Sequence, residues 1–187
     1  MNTPNQEDKY WLGTDNLERG NPWLTPASIA YLEPKLSKQT TVLEFGMGGS
    51  TIFFARRCQS VVSVDDKLVW VDKVTAKLKD DALTNVQLQH CRRERSMIRF
   101  IKKLSAERRR FDVILVDTGA KCDAGKICEA VEPLLVPQGL LVIDNYYGHH
   151  ASFVSFLVKP GWECLDFNDP HWYGSGTRIA VKPSSAE

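Results

Sequence analysis

The alternation of apolar and amphipathic runs from Thr41 onward is the feature of this sequence that most constrains its fold. Five runs rich in Val, Ile and Leu alternate with segments whose apolar residues recur every three or four positions. Such runs are typical of parallel strands that helices cover on both faces. Two last runs, "WECLDF" and "GTRIAVK", are joined by the turn-rich segment "NDPHWYGS". We therefore predict an α/β fold with a doubly wound, Rossmann-like sheet of seven strands, mostly parallel with a C-terminal antiparallel hairpin strand.

The domain organisation follows from chain length and local composition. With 187 residues the chain is long enough for one domain with a full core. Residues 1–24 are polar and turn-rich, so we expect an N-terminal arm there and a single domain over residues 25–187. Thr25 is a candidate N-cap for the first helix of that domain, with Pro26 at its first position.

Charge, cysteine content and hydropathy argue against several classes of protein. The net charge of +1 gives no global reason to expect nucleic acid or an anionic membrane as a partner. Five cysteines, odd in number and without CxxC spacing, indicate neither a disulfide framework nor a zinc site. No apolar run approaches the ~18 residues of a membrane span, and the first residues lack the basic-then-apolar order of a signal peptide. We expect a cytoplasmic protein.

A glycine-rich turn, "EFGMGGST", joins the first predicted strand to the helix that follows. A phosphate-binding P-loop requires a lysine before Ser or Thr, and Gly49 takes that position here. A dinucleotide fingerprint requires a third glycine, where this chain has Thr51. The carboxylate of Glu44 at the strand end would also repel a pyrophosphate. An NAD(P)-dependent oxidoreductase is therefore kept only as an alternative.

S-adenosylmethionine fits this turn better, because it carries an ammonium and a sulfonium beside its carboxylate. Glu44 suits the cationic groups, and the glycines allow the backbone to approach the amino-acid part of the cofactor. Asp65 ends the next predicted strand, and its two oxygens are suited to accept hydrogen bonds from both ribose hydroxyls. The alternative interpretation of Asp65 is a solvated strand end.

Four segments, "VLEFGMGGST", "VVSVDD", "FDVILVD" and "GLLVIDN", resemble in order and spacing the motifs of class I S-adenosylmethionine-dependent methyltransferases. The resemblance covers about residues 25–182 and is to a compact branch whose substrates are mostly unassigned. It implies methyltransferase activity with S-adenosylmethionine as cofactor. One departure is "QHCRRE" at the end of the third strand, where many relatives have an acid near the adenine amine. By position, the resemblance implies these cofactor-binding residues: Glu44, Gly46, Met47, Gly48, Ser50, Thr51, Asp65, Asp66, His90, Cys91 and Asp117.

The ends of the fourth and fifth predicted strands carry the candidate catalytic groups. Asp117 and the pair Asp144-Asn145 face the same crevice, and they resemble the positions at which catechol-type O-methyltransferases hold Mg²⁺. Lys121 lies one residue away from the position of the lysine base in that family. Histidine is suited to act as a general base near neutral pH, so His149 is a candidate for that role, and a loop residue at the start of the next helix is the alternative. The candidate catalytic residues are Asp117, Lys121, Asp144 and His149, and the candidate metal ligands are Asp117, Asp144 and Asn145.

These positions imply O-methylation of a small molecule or a saccharide, and two features keep alternatives open. The basic segment 92–110 carries its apolar residues on one helical face, so its charges are expected on the solvated face. An anionic partner such as RNA or a phosphorylated substrate is the alternative for that segment. The acceptor side has no long inserted cap, which leaves open a catalytically inactive binding module with the methyltransferase fold.

Overall fold

The structure, a computed structural model, describes residues 15–118, 122–146, 161–169 and 176–184. Within these ranges the α-helices are α1 (Asn16–Arg19), α2 (Pro26–Leu32), α3 (Gly49–Arg57), α4 (Leu68–Asp80), α5 (Glu94–Ala106) and α6 (Ala124–Val131). The strands are β1 (Thr41–Phe45), β2 (Ser60–Asp65), β3 (Val86–His90), β4 (Phe111–Val116), β5 (Leu135–Ile143), β6 (Glu163–Asn168) and β7 (Gly176–Val181). Two short 3₁₀ turns cover Glu33–Lys35 and Glu132–Leu134.

The strands form a seven-stranded sheet in the order β3-β2-β1-β4-β5-β7-β6. Strands β1 to β5 pair in parallel, whereas β7 lies antiparallel between β5 and β6. This confirms the predicted fold class, including the C-terminal hairpin. The direction of winding reverses between β1 and β4, and ligands of doubly wound sheets bind beyond the carboxyl ends of the strands at such a point.

The sheet separates two hydrophobic cores because consecutive strand residues point to opposite faces. In β1, Leu43 and Phe45 enter the core that α5 and α6 cover, whereas Val42 enters the core beneath α2, α3 and α4. Strands β2 and β4 follow the same alternation, with Val62 and Val64 in the first core and Val61 in the second. These near-continuous apolar strands are therefore buried on both faces, as the sequence pattern predicts.

The start of the domain differs in detail from the prediction. Pro26 is the first residue of α2, but the side-chain oxygen of Thr25 accepts no cap hydrogen bond from the described residues. Instead the backbone amide of Thr25 donates to Oγ1 of Thr177 at 3.2 Å, which ties the helix start to β7. Helix α2 ends at Leu32, and the 3₁₀ turn that follows accommodates Pro34.

Residues 15–24, the described part of the predicted arm, lie against the domain. The side chain of Leu24 is 1% exposed in the core beneath α3. The division into an arm and a single domain stays a prediction. The helix predicted near "HASFVSFLV" lies outside the described residues, and none of the described helices has the length and hydropathy required to cross a membrane.

The glycine turn between β1 and α3 is packed tightly against β4. Gly46 has a φ of +107°, and a Cβ at this position would collide with the backbone carbonyl oxygen of Asp117. Its amide donates to the carbonyl of Val64 in β2 at 2.9 Å, and the amide of Asp117 donates to the carbonyl of Phe45 at 2.8 Å. The chain can therefore pass between β2 and β4 at this point only with glycine.

Replacing Gly46 by alanine should destabilise the fold by about 2 kcal/mol or more, because the new Cβ meets both a left-handed backbone and the Asp117 carbonyl. Gly48→Ala is the matched control, since among the described residues a Cβ there meets no atom within 4 Å. We expect its free energy of unfolding to stay within about 0.5 kcal/mol of the wild type. Urea unfolding measures both, and equal losses would contradict this account of the turn.

Candidate functional site

A cavity of about 350 Å³ lies beyond the carboxyl ends of β1, β2, β4 and β5. Its walls come from the glycine turn, the start of α4, the aspartate-bearing ends of β2, β4 and β5, and the segment around α1. The lining residues are Asn16, Leu17, Asn21, Trp23, Gly46, Met47, Gly48, Gly49, Ser50, Asp65, Asp66, Lys67, Trp70, Met97, Asp117, Thr118, Cys122, Asp144 and Asn145. The cavity therefore occupies the crevice in which doubly wound sheets bind their ligands.

Nine of the predicted site residues are brought together in this lining: Gly46, Met47, Gly48, Ser50, Asp65, Asp66, Asp117, Asp144 and Asn145. Four others lie elsewhere. The side chains of Glu44 in β1 and Thr51 in α3 meet in a hydrogen bond between the sheet and that helix. His90 donates from Nε2 to the carbonyl of Asp66 at 3.1 Å. Cys91 is buried in the core that α5 covers. The predicted Lys121 and His149 fall outside the described residues.

Glu44 holds the glycine turn from below. It pairs in register with Ser63 of β2, so both side chains point toward α3. The hydroxyls of Ser63 and Thr51 donate to its Oε2 at 2.5 and 2.6 Å, and the amide of Gly48 donates to Thr51 Oγ1 at 3.2 Å. Glu44 is fully buried, and burial raises its pKa to about 7 despite the opposing hydrogen bonds. This carboxylate therefore positions the turn rather than lining the cavity.

Asp65 at the end of β2 is 6% exposed and accepts two backbone hydrogen bonds. The amide of Met47 donates to Oδ2 at 2.8 Å, and that of Lys67 donates to Oδ1 at 2.7 Å. Each carboxylate oxygen has a second lone pair, so both oxygens can still accept a ligand hydroxyl. Burial is the main cause of the raised pKa of Asp65.

Two more carboxylates meet at the ends of β4 and β5. Asp144 is 2% exposed, and it accepts hydrogen bonds from Thr177 Oγ1 at 2.9 Å and from Asn145 Nδ2 at 2.6 Å. Burial raises the pKa of Asp117 to about 6, and the neighbouring charge of Asp65 adds to this effect. Burial and the charge of Asp117 raise the pKa of Asp144 well above its usual range. The two groups therefore favour a shared proton or a cation beside them.

The predicted magnesium ligands do not fit a metal as they are arranged. Asn145 presents its amide nitrogen, which is not a ligand for Mg²⁺, rather than its oxygen to the carboxylate of Asp144. Within the described residues no group of three or more His, Cys, Asp or Glu side chains has the arrangement of a metal site.

About half of the residues that line the cavity were not predicted from the sequence. Lys67, Trp70 and Thr118 follow predicted strand ends within a few residues, so strand-end position was a usable signal for them. Met97 and Cys122 are apolar residues of ordinary core type. Asn16, Leu17, Asn21 and Trp23 belong to the predicted arm, and only the folding of α1 against α3 brings them to the cavity.

Comparison with solved structures identifies the fold. TomG from Streptomyces achromogenes, an O-methyltransferase of tomaymycin synthesis solved with S-adenosylmethionine, has a TM-score of 0.71 and 16% identity over 97% of this chain and 92% of its own. An O-methyltransferase from Bacillus cereus, solved with S-adenosylhomocysteine, has a TM-score of 0.71 and 17% identity over 96% and 92% of the two chains. An rRNA methylase from Streptococcus thermophilus has a TM-score of 0.67 and 17% identity over 84% and 95%.

This chain has the class I methyltransferase fold. At these identities the likeness establishes the fold alone, and the fold hosts acceptors as different as small molecules and ribosomal RNA among these relatives. No protein-family model matches the sequence, and no curated protein matches it. In the methyltransferase fold of this chain the cavity lies at the topological switch point.

The buried Glu44 predicts a specific pH dependence of stability. Its pKa is about 7 in the folded chain and near 4.5 when unfolded, so the folded state binds the proton more tightly. Its contribution to the free energy of unfolding is therefore greatest below pH 4.5, falls by about 1.4 kcal/mol per pH unit up to pH 7, and is constant above it. Glu44→Gln should remove this decline of about 3 kcal/mol.

Urea unfolding of the wild type and Glu44→Gln between pH 4.5 and 8 measures the effect as the difference between the two curves. Glu33→Gln is the control, because Glu33 is an exposed glutamate paired with Arg57 on the surface. Its curve should run parallel to that of the wild type. Parallel curves for the Glu44 variant would show that Glu44 is ionised in the folded chain throughout this range.

Proposed function

We propose that this protein is an S-adenosylmethionine-dependent methyltransferase that O-methylates a small molecule or a saccharide. The observation that carries the proposal is the charge of the cavity at the switch point. Asp65, Asp66, Asp117 and Asp144 line it, and among the described lining residues Lys67 is the one cationic side chain. A ligand with a sulfonium and an ammonium balances this excess, whereas a pyrophosphate would be repelled by it.

The shape of the glycine turn supports the same cofactor. A Cβ on Gly48 would meet no described atom within 4 Å, so this position leaves room for a ligand beside the backbone. The turn leads into the N-terminus of α3, where free amides and the helix dipole favour a carboxylate. S-adenosylmethionine presents a carboxylate and cationic groups within one molecule, which matches these two neighbouring environments.

The nucleoside of the cofactor fits the wall formed by the end of β2 and the start of α4. Asp65 is held by two backbone amides with a lone pair remaining on each oxygen, which suits the two ribose hydroxyls. Asp66 and Trp70 follow Asp65 in the chain and also line the cavity, as does Met97 of α5. The indole ring of Trp70 and the polarizable thioether of Met97 suit an adenine ring.

S-adenosylmethionine supplies an electrophilic methyl group when it is bound. The hydroxyl of the acceptor must then be aligned with that group, and its proton must be removed. Asp144 and Asp117 suit this role, because their raised pKa values make them stronger bases than ordinary aspartates. Thr177 and Asn145 fix the orientation of Asp144, and Asn145 itself has a left-handed φ of +53°, which is a strained conformation of the kind found at functional sites.

The same acidic surface argues for a neutral or cationic acceptor of small size. A phosphorylated acceptor would approach Asp117 and Asp144 at an electrostatic cost. Nucleic acid as an acceptor would meet the same repulsion at the reacting group. A neutral hydroxyl compound, such as a phenol or a saccharide, avoids it.

Direct binding separates this proposal from its alternatives. Calorimetry should show binding of S-adenosylmethionine and S-adenosylhomocysteine but no binding of NAD. Binding of NAD alone would contradict the proposal in favour of an oxidoreductase. Binding of both sulfur compounds without turnover on any hydroxyl acceptor would favour an inactive binding module.

Asp65→Asn should weaken S-adenosylhomocysteine binding about 10- to 100-fold, because it removes a charged acceptor of the ribose hydroxyls. Asp72→Asn on the exposed face of α4 is the matched control and should leave the affinity unchanged. Circular dichroism and thermal unfolding establish that both variants fold, since Asp65 also accepts the Met47 and Lys67 amides. An unchanged affinity in folded Asp65→Asn would remove the ribose assignment.

A further inference from the structure

Two asparagines in the cavity wall have side-chain amide atoms without a hydrogen-bond partner among the described residues. Asn16 is 7% exposed, and neither its Oδ1 nor its Nδ2 has a partner within the described chain. Nδ2 of Asn21 is likewise buried without one. Both residues line the cavity. A buried amide without a partner costs about 1–3 kcal/mol, so its presence in a cavity wall indicates a ligand that completes its hydrogen bonds.

The position of these amides is fixed by the segment from α1 to Asn21, which lies against α3 and α4. Nη1 of Arg56 in α3 donates to the carbonyl of Arg19 at 2.6 Å, and Lys77 of α4 lies 3.5 Å from Glu18. The amide of Asn21 donates to the carbonyl of Asn16 at 2.9 Å, which holds the two residues together. The two side chains therefore belong to a wall that the helices of the domain hold in place.

This wall meets the cavity beside the first residue of α3. A Cβ on Gly49 would collide with the backbone carbonyls of both Asn16 and Asn21, so these residues pack directly on the glycine turn. A carboxylate in this corner would face the N-terminus of a nine-residue helix. An ammonium beside it would face the carboxylates of the cavity. The corner therefore suits a zwitterion.

We propose that Asn16 and Asn21 bind the α-amino-carboxylate end of the cofactor, with their amide groups as hydrogen-bond partners for its charged groups. A carboxamide both donates and accepts, which matches a ligand that offers carboxylate oxygens and an ammonium. The N-terminal segment is thus part of the binding site, although it precedes every motif of the methyltransferase fold. This assignment rests on the proposed function, since it concerns the same cofactor.

The test compares two nucleosides that differ at the end in question. S-adenosylhomocysteine carries the amino-acid end, and 5′-methylthioadenosine has the same adenosine and sulfur but lacks that end. In Asn16→Ala and Asn21→Ala, the Kd for S-adenosylhomocysteine should rise about 10-fold or more, because hydrogen bonds to charged groups are lost. The Kd for 5′-methylthioadenosine should stay within about twofold.

Two further variants separate binding from folding. Asn16→Leu keeps the branching of the side chain at Cγ and removes the unpaired amide, so it should be at least as stable as the wild type yet show the same selective loss. Asn85→Ala is the control, because Asn85 holds the carbonyls of Ala55 and Cys58 near the other end of α3. It should lose stability without changing the ratio of the two Kd values.

The outcomes distinguish failure of this assignment from failure of the proposed function. Equal changes in both Kd values, or no change in either, would overturn the role of Asn16 and Asn21 while leaving the cofactor in place. A wild-type protein that binds neither nucleoside would overturn the proposed function, and this assignment with it.

Discussion

The rest of the site depends on the backbone conformation of Gly46, which is packed closely between β2 and β4. The turn is held on one side by the carbonyl of Val64 and on the other by close contact with the carbonyl of Asp117. Below it, Glu44 binds Thr51 and Ser63 and so fixes the start of α3. Because the turn cannot shift without breaking β-sheet contacts, the helix N-terminus and the strand-end carboxylates keep a fixed relation to each other.

The carboxylates that line the cavity outnumber its cationic side chains within the described residues, which favours a cationic ligand. Burial raises the pKa of Asp65, Asp117 and Asp144, which shows that ionising them in the folded chain has a free-energy cost. Among the described lining residues Lys67 alone offsets it with a positive charge. A ligand that brings two cationic groups lowers the cost, so binding and ionisation should support each other.

The sequence predicted the fold and the strand-end residues of the site because both follow from local pattern. Apolar runs of strand length, separated by helical periodicity, leave few topologies, and Asp65, Asp117 and Asp144 are placed at one edge by the parallel arrangement alone. The role of Glu44 was harder to predict. Glu44 is two positions after Val42 in β1, and alternate residues of a strand point to the same face. It therefore lies on the face that α3 covers, beneath the turn and not in the cavity.

The sequence by itself thus determined that a doubly wound sheet forms, that a glycine turn lies at its switch point, and which carboxylates end its strands. These properties depend on periodicity and on the local conformational freedom of glycine. Only the tertiary structure decided that Asn16, Asn21 and Trp23 reach the same cavity, that Asp144 is held by Thr177 of β7, and that the carboxylates share one buried environment. Such contacts join residues far apart in the chain, and no local pattern encodes a meeting that depends on how separate elements pack.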